Sequence, residues 1–275
     1  MWGFRAVFHS STRIGLLITL MLAYAEISFG QTPRLIIPAT YIPSLPLPVV
    51  VEVELNGFVS TIHNGIDSLY WQDNDNSGTR GLELKHGRTS TKLNGNFSGD
   101  IDLEWMGETA TIPAETGPTI NHSGSVGANQ IWQAGSVQHI TGDVTIESGV
   151  TLTIDAGTWV VVDGLYNIMV DGNLQINGTD SQPVMMVGNG VVSTWGGIIV
   201  NGTIQANHVF VMSGGADGNL AYGHSNSQAV VKVENGTANL NRVYLLDNAG
   251  KGVGANGGSI EFTNGLIQRC DMGFR

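Results

Sequence analysis

The sequence predicts an all-β chain dominated by a solenoid of stacked coils. Three observations carry that reading. Short alternating apolar runs return along the second half of the chain. Gly, Asn or Asp interrupts them every few residues. The runs are rich in β-branched residues and follow a period of two, which suits strands and not helices.

The repeat is clearest in Leu152-Thr-Ile-Asp155, Leu174-Gln-Ile-Asn177, Ile204-Gln-Ala-Asn207 and Ala238-Asn-Leu-Asn241. A second short strand follows each: Trp159-Val-Val-Val162, Val184-Met-Met-Val187, His208-Val-Phe-Val211 and Arg242-Val-Tyr-Leu245. The steps between Asp155, Asn177, Asn207 and Asn241 are 22, 30 and 34 residues. This reads as a base coil of about 22 residues with insertions, inside the range of known solenoids. One coil cannot bury its own apolar face, so each must stack on the next. Asp155, Asn177, Asn207 and Asn241 are then expected as a structural ladder at one turn, or as residues that merely tolerate turn geometry. Val161, Met169, Val170, Ile176, Met186, Ile199, Val211 and Leu245 are the expected strand core.

From Trp132 to the C-terminus the chain resembles the right-handed parallel β-helix modules of secreted bacterial surface proteins. The matching segments are Val150-Thr-Leu-Thr-Ile-Asp-Ala-Gly-Thr158, Ile168-Met-Val-Asp-Gly-Asn-Leu-Gln-Ile-Asn-Gly-Thr179, Pro183-Val-Met-Met186 and Trp195-Gly-Gly-Ile-Ile199. The resemblance implies a fold that hosts lyases, hydrolases, adhesins and inert stalks alike, so it does not choose an activity.

Taken in order, residues 1–30 read as an export signal. Arg5 and Arg13 precede the apolar run Ile14–Ala25, which is shorter than the roughly 20 residues a membrane span needs. The chain is therefore expected to be secreted or on the cell surface, with no transmembrane segment once the signal is removed. Residues 31–48 carry five prolines and read as a linker. Residues 49–118 read as a small β-rich N-terminal domain or cap, residues 119–131 as a second linker, and residues 132–275 as the β-helix. The repeat still runs at Ser259–Gln268, so the expectation is a fragment, or Cys270 and Phe274 packed against a partner or a missing downstream segment.

The net charge of −11 becomes −12 when Arg5, Arg13 and Glu26 leave with the signal. So acidic a surface argues against nucleic acid and anionic membranes as partners. Cys270 is the only cysteine, so no intrachain disulfide exists.

Candidate sites are few. Asp73-Asn-Asp-Asn-Ser-Gly78 has the opening pattern of a calcium loop, with Asp73, Asp75 and Ser77 as oxygen ligands. The twelfth position, where a closing carboxylate belongs, is Leu84, so a hairpin turn stays open as the other reading. No cofactor other than this Ca2+ is suggested. The long coil contains the insertion Ala216–Ala229, whose Asp217, Tyr222 and His224 are the groups it could present to a ligand. A polysaccharide lyase would need a basic proton abstractor and calcium-binding carboxylates, and a hydrolase paired acids. Asp247 and Asp271, with Arg242, Lys251 and Arg269, are the nearest approach to such a cluster. The reading that follows is a scaffold or adhesin-like display protein that binds polysaccharide or cell-surface glycan without a catalytic constellation. The alternative is a polysaccharide lyase or glycoside hydrolase of the β-helix type.

Overall fold

The computed structural model describes residues 30–220 and 227–274. The export-signal expectation for residues 1–30 lies almost wholly outside the described residues. No helix among the described residues is long and apolar enough to cross a membrane.

Eight strands build the N-terminal part: β1 (Gln31–Ile36), β2 (Leu47–Leu55), β3 (Phe58–Val59), β4 (Gly65–Gln72), β5 (Ser77–Leu84), β6 (Arg88–Leu93), β7 (Ile101–Trp105) and β8 (Glu108–Ile112). They form two four-stranded antiparallel sheets, β1-β2-β3 with β6 on β2, and β5-β4-β7-β8. Alternation in β2 sends Val49, Val51 and Val53 into a core shared with Leu69, Leu103 and Trp105 of the other sheet. The arrangement is a sandwich.

The segment expected as a linker over 31–48 instead enters this sandwich. β1 pairs antiparallel with β2 from Gln31↔Leu55 to Ile36↔Val50. Pro33 sits in that edge strand and the other prolines flank β2 or begin it, positions where a missing N–H costs no ladder bond.

The solenoid follows with β9 (Thr119–Val126), β10 (Gln130–Trp132), β11 (Val137–Ile146), β12 (Thr151–Asp155), β13 (Trp159–Val162), β14 (Ile168–Val170), β15 (Asn173–Asn177), β16 (Val184–Gly188), β17 (Ile198–Val200), β18 (Thr203–Met212), β19 (Ala229–Val233), β20 (Thr237–Leu246), β21 (Lys251–Ala255), β22 (Ser259–Thr263) and β23 (Leu266–Gln268). Every pairing among them is parallel. The chain is all-β and this part is a parallel β-helix.

Three walls run the length of the stack. The docked wall contains β13, β16 and the second halves of β18 and β20. The middle wall contains β14, β17, β19 and β21. The ladder wall contains β12, β15, the first halves of β18 and β20, and β22. Along the ladder wall the register steps Thr151, Asn173, Thr203, Thr237 and Ser259 are 22, 30, 34 and 22 residues. The eight expected core positions are all buried except Met169, which is half-buried.

Residues 119–131 were expected as a linker, yet β9 and β10 are the first rung of the helix, paired with β11 and β12. Rung formation rests on backbone hydrogen bonds, so polar side chains do not prevent it. At the end of a stack an inward position has only one neighbouring coil. His122 occupies such a position, stacked on Trp132 at 4.3 Å between ring centroids. At the other end, Phe274 packs edge-to-face on Phe262 at 5.6 Å, and Cys270 packs on the main core.

The sandwich docks on a flank of the solenoid. Ile36, Leu45 and Val50 pack on the outward residues Trp159, Met185, Phe210 and Tyr244 of the docked wall. Polar contacts frame this apolar seam: Trp159 Nε1 donates to Thr40 Oγ1 at 3.0 Å, and Arg88 donates to the Gly265 carbonyl at 2.6 Å. Glu52, on the same face of β2 as Val50, is fully buried with Arg88 at 3.5 Å.

Candidate functional site

The three corners between walls differ, and the difference locates the site. From the middle wall to the ladder wall two to four residues turn each coil, for example 171–172 and 201–202. Glycines line this corner because the coils touch there. A Cβ on Gly202 would collide with the Gly172 carbonyl, and one on Gly236 with the Gly202 carbonyl.

From the ladder wall to the docked wall, His208, Arg242 and Asn264 take left-handed φ near 50° and turn the later coils almost without a loop, whereas the earlier coils turn through 156–158 and 178–183. Asp155, Asn177, Asn207, Asn241 and Thr263 stand in register just before this turn. Asn241 Nδ2 donates to Asn207 Oδ1 at 3.1 Å, and Thr263 Oγ1 and Asn264 Nδ2 donate to Asn241 Oδ1 at 3.2 and 3.0 Å.

The third corner, from docked wall to middle wall, carries the loops. Its connections are 163–167, 189–197, 213–228 and 247–250, which are five, nine, sixteen and four residues long. Trp195 fills the base of this corner. It is fully buried and its Nε1 donates to the Met212 carbonyl at 2.7 Å. The two glycines that follow it make room for polar side chains of the coils on either side. Asn167 Oδ1 accepts from Gln228 Nε2 at 3.0 Å across them, and a Cβ on Gly196 would occupy the place of that Asn167 amide.

Asp217 belongs to this buried spine and not to the loop surface. Asn167 Nδ2 donates to its Oδ2 at 3.0 Å, and the Asn219 N–H to its Oδ1 at 2.9 Å. The expectation that Asp217 faces a ligand is therefore corrected: a buried carboxylate at the root of a loop gains more from amide donors than from solvent exposure beside Trp195. Tyr222 and His224 lie outside the described residues.

Where the loops meet the sandwich they enclose an open cleft of about 320 Å³ lined by Val191, Val192, Ser193, Thr194, Asp247 and Lys92, among others. Asp247 and Arg269 form a bidentate pair, Nε to Oδ1 at 2.9 Å and Nη2 to Oδ2 at 2.7 Å. Lys92 Nζ stands 3.5 Å from the same carboxylate. Burial works to raise the Asp247 pKa, but hydrogen bonds and charge from Arg269, with Lys92, prevail and hold it below the ordinary carboxylate value. The remaining donors of Arg269 reach Ser90 O, Ser90 Oγ and Gln268 Oε1 at 2.9, 3.0 and 3.0 Å. All five guanidinium N–H groups are thereby engaged.

The other members of the expected acid-base cluster are dispersed. Arg242 is at the ladder corner, 3.7 Å from Asp180. Lys251 is fully buried and donates to the Ser227 carbonyl, while Asp271 accepts from the Ser227 hydroxyl at 2.7 Å.

The Asp73 loop joins β4 to β5 in the sandwich, remote in sequence from this corner. Asp73 Oδ1 accepts from the N–H groups of Asp75 and Asn76 at 2.8 and 2.5 Å, and Oδ2 from the Ser98 N–H at 3.0 Å. Burial opposes its ionisation, yet these three N–H groups hold its pKa below the usual range. Asp75 is exposed, and Ser77 is an exposed residue opening β5. The geometry is that of a side chain tying a hairpin turn.

Residues 124–233 match the family model described as a pectate-lyase like beta helix domain. The matched segment of this β-helix domain runs from the first rung through β19 and so contains the two loops with Tyr166, Val191 and Val192, and the buried spine. Neither a curated protein nor a solved structure gives a significant match. Reading by residue type missed Asn167, Gln228, Lys92 and Trp195 as parts of the site. The one available signal was the Trp-Gly-Gly at 195–197, since adjacent glycines inside a strand pattern mark a close approach of neighbouring groups.

Proposed function

We propose that the chain is a secreted or cell-surface β-helix scaffold that displays a non-catalytic glycan-binding corner. The observation that supports this most is the segregation of loops. One corner turns the coils in two to four residues beside a glycine column and another in six or fewer beside an Asn ladder, while the third carries the two longest connections, of nine and sixteen residues, next to an open cleft. Loops held on a rigid stack are where such repeat folds place binding surfaces. The charged groups of the cleft support binding over turnover, because Asp247 and Arg269 are committed to each other. A proton-transferring acid or base has to reach the substrate and be tuned toward neutral pH, whereas Asp247 is shifted the other way.

The test is a panel of acidic and neutral polysaccharides with two readouts. Retention of the exported protein on one of them, without release of reducing or unsaturated ends, is the expected outcome. Release of new chain ends with turnover would overturn the proposal in favour of a lyase or hydrolase.

A further inference from the structure

We infer that this corner takes an uncharged polysaccharide strand and not a polyanionic one. The inference rests on the glycan-binding reading above and adds the class of ligand. Two independent features of the corner point to it.

The first is charge. An acidic polysaccharide is held by cations with donors to spare, most effectively by Arg in bidentate contact with carboxylate. Arg269 has all five donors engaged, two of them on Asp247. Lys92 shares that carboxylate at 3.5 Å. The carboxylate within the cleft thus already occupies the place a uronate would take. The chain as a whole carries −11, so a polyanion also approaches against a repulsive field.

The second is the apolar surface presented by two successive coils. Leu165 and Tyr166 are 51 % and 37 % exposed on one loop, and Val191 and Val192 are 41 % and 91 % exposed on the next. The Gly196 N–H donates to the Tyr166 carbonyl at 3.0 Å, which fixes these two coils side by side at this corner. Two successive coils thus each present an exposed apolar pair at the same corner. Ser193 and Thr194 follow directly with hydroxyls. A pyranose ring offers C–H faces and hydroxyl edges. An aromatic ring and branched aliphatic side chains suit the faces, and side-chain hydroxyls suit the edges.

The test is affinity gel electrophoresis of the full exported chain in gels containing xylan, hydroxyethylcellulose or polygalacturonate, at low and at high NaCl. Retardation by a neutral polymer, unchanged by salt, is expected. Tyr166→Ala and Val192→Asp should each weaken it by about tenfold, the scale of one lost aromatic or desolvated apolar contact. Both positions are exposed enough that melting curves of the variants should match the parent. Retardation by polygalacturonate alone, falling with salt, would overturn the uncharged class while keeping glycan binding. Retardation by none of the three would overturn the glycan-binding reading itself. Neutral-polymer retardation that both variants preserve would remove the ligand from this corner.

Discussion

The docked wall and the ladder wall are built from the same coils, yet they obey different patterns. Ladder-wall strands alternate: in Leu174-Gln-Ile-Asn177 the leucine and isoleucine are buried and the amides are outward. Docked-wall strands do not: Trp159-Val-Val-Val162 and Val184-Met-Met-Val187 are buried at every position. One wall has a solvated outer face, and the other has the sandwich on it. Parallel strands covered on both sides read as continuous apolar runs, whereas half-covered ones alternate. β2 shows the same rule from the other partner, with Val49, Val51 and Val53 in the sandwich core and Val50 on the solenoid. The outer surface of a solenoid wall is thus a record of what lies against it.

The strongest way to break this comparison is truncation on each side of each wall. Phe210 faces the sandwich, and its ring lies 5.0 Å from that of Tyr244. Phe210→Ala should cost about 3–5 kcal/mol in denaturant unfolding, and the inward Leu245→Ala about 2–5 kcal/mol. On the ladder wall the inward Leu240→Ala should cost a similar amount, but the outward Gln205→Ala less than about 0.5 kcal/mol. Equal losses for Phe210→Ala and Gln205→Ala would mean that the sandwich does not stay docked in solution.

Asp73 offers a contrast inside the sandwich, where no ladder stabilises the turns. Asp73→Ala leaves three N–H groups without their acceptor and should cost roughly 1–3 kcal/mol. Because its folded pKa is lowered, the contribution is present above the ordinary value of 3.8 and is lost as pH falls through the folded value. Melting curves with calcium and with chelator should superpose. A calcium-dependent rise in melting temperature that Asp73→Ala removes would restore the metal-loop reading.

The seam can be probed more gently through Glu52. Burial, the largest influence, raises its pKa, and Arg88, Arg34 and Arg242 pull it down without cancelling that effect, while Glu54 adds to the rise. Its favourable contribution is therefore full below the ordinary value of 4.5 and is lost as pH climbs through the folded value. Glu52→Gln should gain on the parent between pH 4.5 and 7.5 in urea unfolding. A variant that falls further behind the parent over that interval would show that the arginines dominate.

The smallest expected effect is in the ladder. Asn241→Ala removes the link to Asn207 and the acceptor for Thr263 and Asn264, and should cost about 1 kcal/mol in the same assay. No measurable loss would reduce the column to residues that tolerate the turn.

Much of the fold was legible in the chain because its signal is local. A period of two, a turn residue every few positions and a return after about 22 residues are properties of adjacent residues, and they determine coils, walls and the ladder register. The loops at 189–197 and 213–228 were likewise visible as excess length in the 30- and 34-residue coils. What the sequence could not say is what each coil meets. The prolines before Val49 read as a linker because flexibility and edge-strand use leave the same mark. Polar residues 119–131 read as a linker because a terminal rung needs backbone pairing more than apolar side chains. Asp217 read as a displayed acid, since nothing next to it in sequence announces Asn167, 50 residues earlier and part of a different coil. The docking of the sandwich, the pairing of Asp247 with Arg269 and the apposition of Tyr166 to Gly196 were decided only in three dimensions. Each joins groups far apart along the chain, and such contacts depend on how whole elements pack and not on the order of residues within them.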